Sequence, residues 1–218
     1  MFKQKDVFCR FCDKNALYLD LQQILSYNIH SKVWRCAMKI QIIGYSGSGK
    51  STLARQLGEL LSLPVLHMDA TRFYGDWQEY THAQQEETVR RFLKQNRQCG
   101  WVIDGNYSSI ATERFSQSDI TVFLDFNRFF CYFSAKRRYK KYKERCREDL
   151  PCVEKFDKEF RRWLLWEGRT PSRRKKLKKL LGCTSGRKVV LKNRKQQQKF
   201  VLSLVAEHQK SSFAGGKE

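Results

Sequence analysis

The chain has 218 residues, of which 41% are apolar and 13% aromatic, enough to bury a core and too many for a disordered chain. Its 43 Lys+Arg against 22 Asp+Glu leave a net charge of +21, a field that draws polyanions such as nucleotides, nucleic acids or acidic lipid surfaces. No run of 18 apolar residues occurs, which excludes a membrane-spanning helix, and no secretory signal is visible, so the cytoplasm is the default location and no membrane partner is expected.

Residues 1–37 contain no clear strand and one short helical stretch, 17–25. They read as an appended arm, or as an upstream extension from a wrongly chosen start, because Met38 stands directly before the first apolar run. From there a domain over 38–210 is expected. Residues 40–43 form a buried strand, since short continuous apolar runs mark parallel sheet. Residues 51–63 form a helix with Leu53, Leu57, Leu60 and Leu61 at helical spacing, closed by Pro64. Residues 65–67 are a second strand, 80–96 a polar helix, 101–103 a third strand and 120–124 a fourth. Residues 128–147 read as a long basic helix passing into a loop. Helices follow at 154–167 and 172–181, then a fifth strand at 188–191 and a closing helix at 195–208. The tail 211–218 is expected to fray. Five strands separated by helices predict an α/β fold around a parallel sheet with right-handed crossovers.

Between the first strand and the first helix lies Gly44-Tyr45-Ser46-Gly47-Ser48-Gly49-Lys50-Ser51, which fits G-x-x-x-x-G-K-[ST] in its strand–loop–helix context. Glycines permit a turn that aims several backbone N–H groups into one concavity, and the helix adds the positive end of its dipole. Lys50 is placed to reach the β- and γ-phosphates of ATP, and Ser51 offers a hydroxyl to Mg²⁺. Gly44, Ser46, Gly47, Ser48, Gly49, Lys50, Ser51 and Thr52 are the expected phosphate-binding residues.

Ligands of such sheets bind at the carboxyl ends of the strands. Asp69, Asp104 and Asp125 all sit there. Asp104 is expected to hold Mg²⁺ together with Ser51. Asp69 is expected to position an acceptor hydroxyl or take its proton; with a phosphate acceptor it would orient substrate or metal instead. Asp125 reads as a helix cap or a surface ion-pair partner, and His67 as a packed strand residue. Phe73, Tyr74, Trp77 and Tyr80 follow Asp69 and read first as packing, with one wall of an acceptor pocket as the alternative.

The positive charge is concentrated. Residues 136–199 hold 25 Lys+Arg against 7 Asp+Glu, a net of +18. Phosphoryl transfer spreads negative charge over equatorial oxygens, which planar, always-charged Arg neutralises well. A lid over about 134–152 is therefore expected to bring arginines onto the phosphates and exclude water. Arg138, Arg145 and Arg147 are the expected contacts, with Arg138 and Arg147 catalytic. The eight cysteines read as reduced thiols. Cys9 and Cys12, with His30 and Cys36, have the number of ligands for a zinc site, but the spacing after Cys12 matches no common finger.

The phosphate loop, Asp104-Gly105-Asn106-Tyr107, the run from Phe123 to Arg128, Arg147-Glu148-Asp149-Leu150, Cys152-x-Glu154 and Leu191-Lys192-Asn193-Arg194-Lys195 together resemble the adenylate-kinase-like P-loop proteins. Among these the chain is most similar to the group described as DNA topology modulation proteins, over Met38 to about Leu204. The resemblance implies a three-layer P-loop NTPase fold with strand order 2-3-1-4-5 and a helical, Arg-rich lid. It implies Asp104-Gly105 beside Mg²⁺ and acceptor, Arg114 on the acceptor side, and Asn193-Arg194 in the loop bordering the donor base, with Asn193 a nucleotide contact. The chain departs from that pattern at Gly75-Asp76-Trp77, Ser134 and Lys143-Glu144. The leading expectation is an ATP- and Mg²⁺-dependent kinase acting on a nucleoside or nucleotide. The alternatives are a nucleotide-regulated DNA-binding protein, using 136–199 on nucleic acid phosphates, and an NTP hydrolase that has no acceptor.

Overall fold

The computed structural model describes residues 37–74, 77–147, 149–150 and 152–214, the side chains of 211–214 excepted. The expectations for the arm, including Cys9, Cys12, His30 and Cys36, and for 75–76 lie outside these residues, as does the end of the tail.

The first strand, β1 (Met38–Gly44), places Ile40, Ile42 and Ile43 fully out of solvent. It leads through the glycine loop into α1 (Lys50–Leu61), whose Leu53, Leu57 and Leu61 recur every four residues and pack on the sheet. Ser62, with φ 52°, ends that helix. Then follow β2 (Val65–His67), a short helix α2 (Met68–Arg72), a hairpin of β3 (Phe73–Tyr74) and β4 (Gln78–Glu79), and α3 (His82–Gln95). Thr81 and Gln84 close the start of α3 as a reciprocal capping box. β5 (Gly100–Asp104), α4 (Glu113–Ser116) and β6 (Ile120–Leu124) come next, then α5 (Arg128–Tyr142), α6 (Lys158–Leu165) and a 3-10 turn (Glu167–Arg169). The domain closes with α7 (Pro171–Gly182), β7 (Arg187–Leu191) and α8 (Arg194–Ala214).

The five long strands form one parallel sheet in the order β2-β5-β1-β6-β7. Counting only those five in chain order, this is 2-3-1-4-5, the order implied by the resemblance. β5 shows how the layers form. Val102 packs with Leu53 and Leu57 of α1, whereas Trp101 and Ile103 pack with Val89 and Leu93 of α3. Alternate residues of a strand face opposite ways, so helices cover both faces of the sheet. The fold is thus the three-layer α/β arrangement around a five-stranded parallel sheet.

The differences from expectation are local. The short pieces α2, β3, β4 and α4 span two to five residues, too few to show a period. The basic helix stops at Tyr142; beyond it Arg147 and Leu150 exchange backbone hydrogen bonds of 3.2 Å each. The next helix begins at Lys158 rather than 154, because Asp157 caps it by accepting from Phe160 N at 2.7 Å. The last helix runs past 208 to Ala214. Among the described residues no helix is long and apolar enough to cross a membrane.

Candidate active site

Each strand of a parallel sheet ends on the same side, so the loops after β1, β2 and β5 meet at one edge. The loop after β1 is shaped by its glycines. Gly44, Gly47 and Gly49 take φ values of 152°, 76° and 91°, a region that side chains resist. Space adds a second requirement: a Cβ on Gly44 would lie 2.7 Å from Leu124 O, and one on Gly47 would collide with Cys131 O. The loop is then pinned from β5. Gly44 N–H donates to Asn106 Oδ1 at 2.9 Å, and Asn106 Nδ2 donates back to Gly44 O at 2.7 Å. Gln41 Nε2 donates to Gly105 O at 3.2 Å and ties the two loops together below. Asn106 is thus a site residue by geometry; its place in Asp104-Gly105-Asn106-Tyr107 was its only signal in sequence.

Lys50 opens α1 and donates from Nζ to Tyr45 O at 3.2 Å, folded back over its own loop. Burial pushes its ammonium below the usual lysine pKa, against the pull of Asp69 and Asp104. Ser51 donates from Oγ to Asp104 Oδ2 at 2.8 Å. The other oxygen, Asp104 Oδ1, lies 2.6 Å from His67 Nδ1. Burial disfavours the charged imidazole, but the Asp104 contact outweighs it and raises the His67 pKa. His67 is therefore joined to the carboxylate of the site, more than the packed strand residue expected.

Asp69, at the start of α2, is exposed and accepts from Tyr107 Oη at 2.7 Å. Burial and the nearby Asp69 both push the Tyr107 phenol up, so it stays a proton donor to that carboxylate. Phe73 and Trp77 meet edge to face at 5.2 Å, and Lys155 Nζ lies 5.3 Å from the Trp77 ring.

The arginines converge on two buried acids. Glu154, 3% exposed at its side chain, has Oε1 2.8 Å from Arg138 Nε and 3.0 Å from Arg147 Nε. Asp149, 2% exposed, lies 3.6 Å from Arg147 Nη1 and 3.9 Å from Arg55 Nη2. Burial pushes the Asp149 carboxyl up, but Arg147, Ser51 and His67 together hold it below the usual range. Neither Asp149 nor Glu154 was singled out by its chemistry in sequence, since surface acids and buried counter-charges look alike there.

A cavity of about 1120 Å³ gathers most of these groups. Ser46, Gly47, Gly49, Lys50, Ser51, Thr52, Asp69, Arg138, Arg145 and Arg147 line it, with Arg137, Ser134, Phe73 and Trp77. Asp104 lies beneath, through Ser51, at 4% exposure. Gly44 and Ser48 build the loop from behind; the Ser48 hydroxyl is buried and has no hydrogen-bond partner among the described residues. Asn193 stands outside the lining, where its Oδ1 accepts from Gln196 N at 2.9 Å and caps α8. Its neighbour Arg194 lines the cavity instead, with a guanidinium nitrogen 3.0 Å from where a Gly49 Cβ would stand. Asp125 pairs with Arg174 at 2.6 Å, the second of the two roles read from sequence. Arg128 covers the Trp166 ring. Tyr74 and Tyr80 meet at a tilt of 44°, ring centroids 4.7 Å apart, outside the cavity. Arg114 is fully buried and donates to the carbonyls of Tyr107, Ile110 and Ala111, so it braces the β5 loop rather than facing the cavity.

The donor set suits Mg²⁺. Ser51 and Asp104 present oxygen ligands beside a cradle whose glycines leave room for phosphate, and a hard cation prefers oxygen.

No known family model matches the chain, and no curated protein matches it. Solved structures with a similar backbone include the shikimate kinase of Acinetobacter baumannii in complex with shikimate, 14% identical with a TM-score of 0.46, covering 85% of this chain and 98% of that one. The gluconokinase of Sinorhizobium meliloti is 15% identical with a TM-score of 0.41, over 83% of this chain and 96% of that one. The deoxyadenosine kinase of M. mycoides with bound dATP is 16% identical with a TM-score of 0.42, over 78% and 100%. Likeness at this level does not assign an activity.

Proposed function

We propose that the chain is an ATP-dependent phosphotransferase whose acceptor is a small molecule of the nucleoside or nucleotide class. The observation that carries this reading is the placement of a glycine-built anion cradle, Lys50, Ser51 with Asp104 beneath it, the carboxylate of Asp69 and several arginines at one cavity. A hydrolase needs the first three alone. The exposed Asp69, held by Tyr107 beside Phe73 and Trp77, gives the cavity a second end suited to an acceptor.

In this mechanism the backbone amides of 44–51 and Lys50 hold the donor phosphates. Ser51 and Asp104 would hold Mg²⁺, which when bound neutralises charge on the β- and γ-phosphates. The acceptor oxygen attacks the γ-phosphorus and its proton passes to Asp69. The bond from that phosphorus to the β-phosphate oxygen breaks, and ADP leaves. With a phosphate acceptor no proton need move, and Asp69 orients the substrate. Arg138 and Arg147 face the transferring group, their counter-charges Glu154 and Asp149 fixing where the guanidiniums sit. The cytoplasm, where ATP is abundant, is the location this chemistry fits.

The test is transfer from γ-labelled ATP by the full chain to a panel of nucleosides and nucleoside monophosphates. Transfer to one class above the rate of phosphate release to water supports the reading. Release of phosphate to water at an unchanged rate with every acceptor contradicts it.

A further inference from the structure

Among the described residues, three aromatic rings stand well out in solvent. Phe129, Phe133 and Trp166 are 59%, 63% and 62% exposed, where large apolar groups normally seek cover. Phe129 and Phe133 lie four residues apart on α5 and so share one face of that helix. Lys136 and Lys140 continue the same stripe in steps of three and four residues, and both are exposed. Two rings followed by two ammonium groups therefore run along the outer side of α5. The helix carries no acid that would neutralise them. Beside this stripe the Arg128 guanidinium lies 4.9 Å from the Trp166 ring, and Arg173, in the first turn of α7, lies 4.0 Å from the Trp163 ring. α7 adds exposed Lys175, Lys176, Lys178 and Lys179, again with no acid on the helix. The stripe is separate from the cavity, which takes Arg137, Arg138 and Lys141 from α5 but not Phe129, Phe133, Lys136 or Lys140.

We infer that the outer face of α5, together with Trp166, binds single-stranded nucleic acid, its bases stacking on Phe129, Phe133 and Trp166 and its phosphates following Lys136 and Lys140. Unpaired bases offer flat faces that rings can stack on, and the backbone offers a line of charge that lysines can follow. A duplex buries its base faces and leaves the rings without partners. An anionic membrane fits less well. An interfacial helix sets its apolar residues on one face and its charges on the other, whereas here both share one face and the opposite side of α5 packs on the protein through Cys131 and Ala135.

The test is fluorescence anisotropy of the full chain with a labelled single-stranded DNA of about twenty bases, and with its duplex, over a range of salt. The single strand should bind at least about tenfold more tightly than the duplex. Phe129→Ser combined with Phe133→Ser should cost single-strand affinity about tenfold or more while leaving the salt dependence as it was. Lys136→Gln combined with Lys140→Gln should weaken binding and flatten the salt dependence, because fewer counterions are released. All four side chains are exposed, so neither double variant should shift the melting temperature or the affinity for Mg·ATP. Equal affinity for the two DNA forms would overturn the inference. So would full single-strand affinity in the phenylalanine variant, or tighter binding to phosphatidylserine vesicles than to the single strand.

Discussion

Ser51 Oγ donates to Asp104 Oδ2 at 2.8 Å, joining the first residue after the loop lysine to the end of the neighbouring strand. The pairing follows from register: Ile42 of β1 stands opposite Asp104 of β5, so the loop that leaves β1 turns directly over that carboxylate. Asp104→Asn should lower metal-supported turnover by about 10- to 100-fold, the usual cost of disturbing an outer partner of a metal. A Mg²⁺ titration of activity checks this, and an unchanged titration would show that Asp104 has no part in holding the ion.

Asp69 and Tyr107 form the second pair to be tested. Asp69→Asn should reduce turnover with a hydroxyl acceptor by about 10²–10⁴-fold, the range of general base catalysis, and leave ATP affinity alone. Tyr107→Phe removes the 2.7 Å hydrogen bond but keeps the ring, and should lower turnover by a smaller factor. Steady-state kinetics with ATP and acceptor varied separately distinguishes the two roles. A loss confined to ATP affinity would remove Asp69 from the acceptor side.

Glu154 shares one oxygen between Arg138 and Arg147 in a setting from which water is nearly excluded. Removing one member of such a group leaves uncompensated buried charge, which costs about 3–5 kcal/mol. Arg138 is 31% exposed, so Glu154→Gln is expected near the lower end, about 3 kcal/mol, by urea denaturation. A variant as stable as the parent would mean that the two guanidiniums relax into solvent.

His208 on α8 gives a pH dependence whose sign follows from its burial. Burial lowers its pKa from the usual 6.5, so the unfolded chain takes up the proton before the folded one does. Its contribution is present above pH 6.5 and is lost as pH falls below that value. His67, whose pKa is raised, works the opposite way: its contribution is present below pH 6.5 and fades as pH rises. The difference between parent and His208→Gln isolates the first effect. Melting temperatures should draw together above pH 7 and show the parent losing more than the variant toward pH 5.5. Parallel curves would contradict this.

The sheet was legible because each of its strands is a short apolar run bounded by turn residues, and Gly44 to Ser51 follows a spacing whose physics leaves few options. The site's second half was less legible. Asp69 and Asp104 were placed by the rule that ligands gather at strand ends. Their partners Tyr107 and His67 were not, because a hydrogen bond across 38 or 37 residues leaves no local pattern. Arg138 and Arg147 could be expected near phosphate from their charge, but not that Glu154 would hold both. Arg114 was placed on the acceptor side by the resemblance alone; no local pattern showed that it would donate to three backbone carbonyls. Asn193, expected at the nucleotide by the resemblance, caps a helix, a role that asparagine fills by the same local chemistry in many contexts.

In the proposed mechanism the backbone around Gly47 and Gly49, with Lys50, encloses a chain of phosphates. The decisive measurement is isothermal titration calorimetry of the full chain with Mg·ATP, with Lys50→Ala alongside. Binding should saturate at one site per chain and weaken at least about tenfold in Lys50→Ala, whose melting temperature in the absence of nucleotide should stay close to that of the parent. Absence of binding by the parent, or equal affinity in the two proteins, would contradict it.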